Sequence, residues 1–236
     1  MTEIKNSKFN KNIFKKNNLF ILIIFLGFCF SVILSSYYVI KYDKYIKDSD
    51  VGHQLIKDET FYHWSSGAKI ADEVSKGKNF FLAGGATFTK PLQQRIIALY
   101  SLITGYELIE QWDKIPRVTI GGKIPYLVLQ GLIYSLSLLF FAKKLSKIIP
   151  NNAFLYVICF LSFELTIFQY HSSFWTESIY FSLQLIIFGM LLERRTSFYY
   201  NLIIGLLIGF LFLQRSGGIF YIFPILLCSI FLFKKK

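Results

Sequence analysis

The stretch NNLFILIIFLGFCFSVILSSYYVI, residues 17–40, carries no charged side chain and follows a tail holding Lys5, Lys8, Lys11, Lys15 and Lys16. A helix needs about 20 apolar residues to cross the hydrocarbon of a bilayer, so this run predicts a first membrane span. It is longer than the apolar core of a signal peptide and passes through Ser35, Ser36, Tyr37 and Tyr38 without a small-x-small cleavage site, which predicts an uncleaved helix. Further runs almost free of charge occupy residues 124–142, 148–170 (interrupted only by Glu164), 176–192, 196–214 and 216–233. Their apolar residues come in blocks rather than alternating, which argues against a membrane β-barrel. With 54% hydrophobic residues and a mean hydropathy of +0.47, the chain is too apolar for an ordinary soluble domain. The expected fold class is all-α: a polytopic transmembrane helical bundle of about six spans with a long external first loop.

Lysine and arginine set the expected orientation. The amino-terminal tail, residues 143–147, residues 193–195 and the terminal Lys234, Lys235 and Lys236 together hold 13 basic and 2 acidic residues, which is +11 of the chain's +12. Cations concentrated in alternate loops predict a multi-pass protein of the plasma (inner) membrane with both termini cytoplasmic. The basic balance then reflects topology rather than a polyanion-binding face, and nucleic acid is not an expected partner. Cys29, Cys159 and Cys228 fall inside predicted spans without metal or disulfide spacing and read as small packing residues.

Five segments follow: a basic tail (1–16), the first helix (17–40), an external loop (41–123), five further transmembrane helices (124–233) and a basic end (234–236). The loop contains 12 basic and 10 acidic residues, two of the three histidines and two of the three tryptophans. Loops of this length in compact proteins are usually functional. Asp58 can cap a helix whose Phe61, Trp64, Ala68 and Ala71 recur at three- and four-residue spacing, a stripe expected on the membrane surface. Beyond Gly84, Gly85 and the Lys90-Pro91 pair, the run 96–106 is too short to span and reads as an interfacial or re-entrant helix. Trp64, Trp112 and Trp175 suit an aromatic belt, and His63 and His171 suit the interface.

No G-x-S-x-G or H-E-x-x-H pattern occurs, so neither a nucleophile elbow nor a zinc protease is indicated. The outer side instead carries carboxylates and cations: Asp58, Glu59, Asp72, Glu73, Lys90, Arg95, His171, Glu177 and Arg215. A carboxylate can take the proton of an attacking hydroxyl, and Lys or Arg can hold a phosphate leaving group. That set suits group transfer from a lipid phosphate. Glu164, amid a span, should face the interior or be paired; it reads either as a functional residue or as a structural partner for Arg215.

The segment DETFYHWSSGAKIADEVSKGKNF (58–80), followed by TKPL (89–92), resembles the first external loop of GT-C superfamily membrane glycosyltransferases, most closely the branch of protein O-mannosyltransferases and aminoarabinose transferases. WTESIYFSLQLIIF (175–188) resembles the acidic start of that family's fourth helix, and FLQRSGGIFYIFPILL (212–227) its Arg-containing junction before the sixth. The resemblance implies transfer of a sugar from a polyprenyl-phosphate carrier to a glycan, lipid or protein acceptor on the non-cytoplasmic side. It implies Asp58 as the base or acceptor-orienting group, Glu59 as its motif partner, Glu177 as a second carboxylate, and Lys90 and Arg215 as phosphate contacts. His171 and Tyr62 complete the candidate substrate-binding set. Some family members use a divalent metal; Thr89 stands where the aminoarabinose branch has an acidic residue, and no metal ligand is assigned. The resemblance covers nearly all of this chain but about the amino-terminal half of the family's length, so a separate carboxy-terminal half is an expected partner besides donor, acceptor and membrane lipid. The alternative is a non-catalytic membrane protein: a degenerate binder of lipid-linked sugars, a transporter or an assembly factor. The paired repeats or interrupted helices usual in transporters are not evident.

Overall fold

The computed structural model describes residues 19–37, 40–41, 63–84, 91–105, 110–112, 115–117, 120–171, 176–193 and 197–215. Helices form largely where charge-free runs predict them. Helix α1 is Leu19–Tyr37. Within the long loop follow α2 (Ser65–Ser75) and α3 (Pro91–Thr104), and then α4 (Ile120–Leu145), α5 (Asn151–Phe163), α6 (Leu165–His171), α7 (Glu177–Leu192) and α8 (Phe198–Gln214). The expected span 216–233 lies outside the described residues. Leu19–Tyr37 and Ile124–Leu145 are long and apolar enough to cross a membrane, whereas Glu177–Leu192 and Phe198–Gln214 are shorter apolar helices.

The described residues are all but wholly helical, in keeping with the all-α class; the loop adds only a short antiparallel ribbon of β1 (Glu110–Trp112) and β2 (Ile115–Arg117), with Glu110 opposite Arg117 and Trp112 opposite Ile115. One expectation is corrected: the expected third span is not one helix. Glu164 adopts an extended backbone at the end of α5, accepts the Ile167 amide at 2.8 Å and the Thr166 hydroxyl at 2.7 Å, and so caps α6. Its carboxylate offers the amides of the next turn an alternative to the continuing helix.

The helix ends fall into two sets. Lys144, near the end of α4, pairs with Glu193 just past α7 at 2.8 Å, and Tyr200 in the first turn of α8 donates to the Met190 carbonyl at 2.8 Å and to Glu193 at 3.0 Å. Phe20 of α1 meets Phe154 of α5 edge-on, 5.6 Å between centroids, beside Leu138 and Ala142. The opposite ends of α4, α7 and α8 gather around Tyr126, Thr176 and Gln214. Thus α4 and α7 run one way while α1, α5 and α8 run the other.

Glycines permit the closest approaches: a Cβ on Gly189 would lie 2.7 Å from Phe140 Cε1, and one on Gly27 would lie 2.5 Å from the Ser162 carbonyl oxygen. The interior is unusually polar and the exterior unusually apolar. Ser31, Ser35, Gln130, Ser137, Ser162 and Ser182 are buried, whereas Leu22, Phe25, Ile33, Tyr156, Phe160 and Leu206 are each more than half exposed. Cys159 is an exposed thiol on α5 rather than the packing residue expected, Cys29 is half-buried, and Cys228 lies outside the described residues.

Candidate active site

The three- and four-residue spacing of Trp64, Ala68 and Ala71 does produce an apolar stripe, but the stripe is buried in protein rather than laid on a membrane surface. Trp64 is fully buried, packs on Ile97 of α3 and meets Tyr126 of α4 edge-on at 5.5 Å; Tyr100 meets the same tyrosine at 5.3 Å. Trp64 is therefore a core residue and not part of an aromatic belt, and His63 beside it is buried rather than interfacial. Three aromatic rings in contact recover more by packing together than by facing an interface. Gly67 brings α2 onto α3: a Cβ there would sit 2.6 Å from Ile97 Cγ2.

Several loop charges hold this platform together. Lys76 pairs with Asp72 at 2.7 Å, and Glu73 accepts Lys78 at 2.7 Å and the Gly84 amide at 2.8 Å. The hydrogen bond from Lys78, followed by that from Gly84, holds the Glu73 carboxyl below its ordinary range. Arg95 donates to the carbonyls of Phe80 and Phe81 and lies over the Phe80 ring, 5.4 Å from its centroid. Asp72, Glu73 and Arg95 are thus committed to the turn between α2 and α3.

The platform docks on one end of the bundle through a buried polar chain. Gln93 of α3 donates to the Tyr126 hydroxyl at 3.1 Å. Gln214, at the end of α8, donates to Gln93 Oε1 at 2.6 Å and to the Thr176 carbonyl at 3.0 Å. Thr176 then donates to Glu177 Oε2 at 3.2 Å, and Arg215 Nη1 donates to Glu177 Oε1 at 2.5 Å. Gln93, Thr176 and Gln214 are fully buried, and Gln214 Oε1 has no hydrogen-bond partner among the described residues. The Glu177 side chain is 5% exposed and that of Arg215 45%, so the pair reaches from the interior to an open edge.

Of the residues singled out in the sequence, Glu177 and Arg215 are brought together. Arg215 pairs with Glu177 and not with Glu164, which corrects the alternative partner: Glu164 is occupied in capping α6. Asp58, Glu59, Tyr62, Lys90, Phe61 and Trp175 lie outside the described residues, and His171 and Trp112 are described only as the last residues of α6 and β1. The sequence reading missed Gln93, Tyr126, Thr176 and Gln214. Their available signal was an amide or hydroxyl closing an apolar run, where a polar group needs a partner. Among the described residues no three His, Cys, Asp or Glu side chains gather to hold a metal ion. Glu177, already neutralised by a guanidinium, does not fit a metal ligand there.

Comparison of the chain with protein-family models, with curated proteins and with solved structures finds no match. The functional reading accordingly rests on this chain's own residues and on the family resemblance they carry.

Proposed function

We propose that this protein is a multi-pass membrane glycosyltransferase that moves a sugar from a polyprenyl-phosphate carrier to an acceptor hydroxyl on the non-cytoplasmic side. The membrane reading is supported by the inverted polarity of the helices, apolar faces outward and serines and amides inward, because exposed apolar faces of this extent are poorly tolerated in water. The two sets of helix ends fit a bundle of about six spans, with Lys143 and Lys144 at the cytoplasmic end.

The observation that carries the reading is convergence. Through Gln93 and Gln214, the loop helices sit on the end of the bundle where Glu177 and Arg215 pair. Lys90 immediately precedes α3 in sequence, and Asp58 lies upstream of α2 in the same loop. In the proposed reaction the acceptor oxygen bonds to the anomeric carbon and its proton passes to Asp58. The bond from that carbon to the phosphate oxygen breaks, and the electron pair leaves on the polyprenyl phosphate. Glu59 partners Asp58, Glu177 is the second carboxylate and positions Arg215, and Lys90 and Arg215 stabilise the departing phosphate. Arg215 gives part of its five-donor fork to Glu177 and keeps an exposed edge for phosphate.

The test is transfer of radiolabelled sugar from a panel of polyprenyl-phosphate sugars in membranes holding equal amounts of the wild type or Asp58→Asn. Transfer lost in the variant supports the reading. Silence of the wild type across the panel, with a labelled donor still bound, removes autonomous catalysis and leaves a donor-binding half. One observation favours the non-catalytic alternative: Glu177 and Arg215 satisfy each other, as a structural pin between α7 and α8 would.

A further inference from the structure

We propose that the cleft between the start of α1 and the end of α4 binds the phosphodiester headgroup of an anionic phospholipid. The cleft has a volume of ≈ 470 Å³, an apolar floor of Phe20, Ile21 and Phe140, and a rim of Lys143, Lys144 and Lys147 with Ser146. It lies at the opposite end of the bundle from Glu177 and Arg215. The inference rests on the membrane reading above but not on glycosyl transfer.

Sequence alone assigns these lysines to orientation, and a solvated basic loop would do that equally well. The concave floor is what distinguishes a site from a loop. Lys144 is held by Glu193 at 2.8 Å and lies over the Phe140 ring at 5.3 Å, so its position is set before any ligand arrives. Lys143 and Lys147 pair with no carboxylate among the described residues. Two cations without a carboxylate partner among the described residues and a fixed third, beside aromatic and aliphatic side chains, suit an amphiphile with an anionic head. Ile21 lines the cleft, and Phe25, one turn further along the same face of α1, is 56% exposed, which continues an apolar track for an acyl chain. A basic pocket between helices with this composition is the usual form of an anionic lipid site.

The test uses the full chain purified in detergent and titrated with phosphatidylglycerol, with phosphatidylcholine and inorganic phosphate as separate arms, binding being read by native mass spectrometry. The site predicts phosphatidylglycerol binding that weakens with salt and falls about thirtyfold in Lys143→Gln/Lys147→Gln. Lys69→Gln/Lys76→Gln, which removes the same charge from the opposite end, should leave binding unchanged. Phosphatidylcholine should bind no better to the wild type than to the Lys143→Gln/Lys147→Gln protein. Equal phosphatidylglycerol affinity in all three proteins overturns the site, and binding of inorganic phosphate as tight as the lipid overturns the lipid as its occupant. Failure of the membrane reading would show separately, as release of the wild type from membranes by alkaline carbonate.

Discussion

The Glu177 side chain is 5% exposed and that of its partner Arg215 is 45% exposed, so the two halves of this ion pair stand in different surroundings. Removing the arginine strands a carboxylate in the interior with, among the described residues, the Thr176 hydroxyl as its one remaining side-chain partner, whereas removing the carboxylate leaves a guanidinium that water can reach. Arg215→Gln should therefore cost about 2 kcal/mol of stability and Glu177→Gln less than about half of that. Thermal unfolding in detergent checks the asymmetry, and equal losses would contradict it. Glu73 supplies a pH-dependent contact elsewhere. Its carboxyl is held below the ordinary value in the folded chain, so its contribution is complete above the unfolded carboxylate range and is lost as pH falls through the depressed value. Exchange of the Gly84 amide, corrected for its intrinsic rate, should rise in the wild type only under acid conditions and be raised at every pH in Glu73→Gln. At this scale the charges were legible and the amides were not. Glu177 and Arg215 stand out at the edges of apolar runs, but the bond between Gln93 and Gln214 joins neutral residues far apart in sequence and belongs to no motif.

The three- and four-residue periodicity of α2 was readable as a helix, yet its burial was not, because the same stripe serves a membrane surface or another helix. What decides is the partner: Ile97, Tyr100 and Tyr126 receive Trp64, and Gly67 removes the side chain that would hold α2 away from α3. Gly67→Leu should separate the two helices, cost roughly 1–3 kcal/mol and loosen the platform from Gln214. Proteolysis within 76–84 of the folded protein would report it, and cleavage no faster than in the wild type would contradict this packing. The start of α3 at Pro91, upstream of the apolar run 96–106, follows from proline's fitness for a first helical turn. Glu164 was visible as an interruption, but hydropathy averaged over a window bridges a single carboxylate. Only its bonds to Thr166 and Ile167 make it the start of a second helix.

Charge-free runs anticipated α1, α4, α7 and α8 in their order, because span length is a property of a whole segment, but they gave neither the two loop helices nor the break at Glu164. The two-ended arrangement makes a direct prediction in a cysteine-free background. Lys76→Cys should react with a membrane-impermeant maleimide in intact cells, and Lys147→Cys only after permeabilisation. Labelling of both, or the reverse, would contradict the topology. The end that carries Gln93, Gln214, Glu177 and Arg215 is then either a place of chemistry or a structural pin. The decisive measurement is the rate of sugar transfer from a polyprenyl-phosphate donor, per folded molecule, by the double variant Glu177→Gln/Arg215→Gln, which removes both charges together. The account predicts a protein that accumulates and unfolds close to the wild type but transfers at least about a hundredfold more slowly. Transfer at the wild-type rate would show that the pair only fastens α7 to α8 and would contradict a glycosyl-transfer site at this end of the bundle.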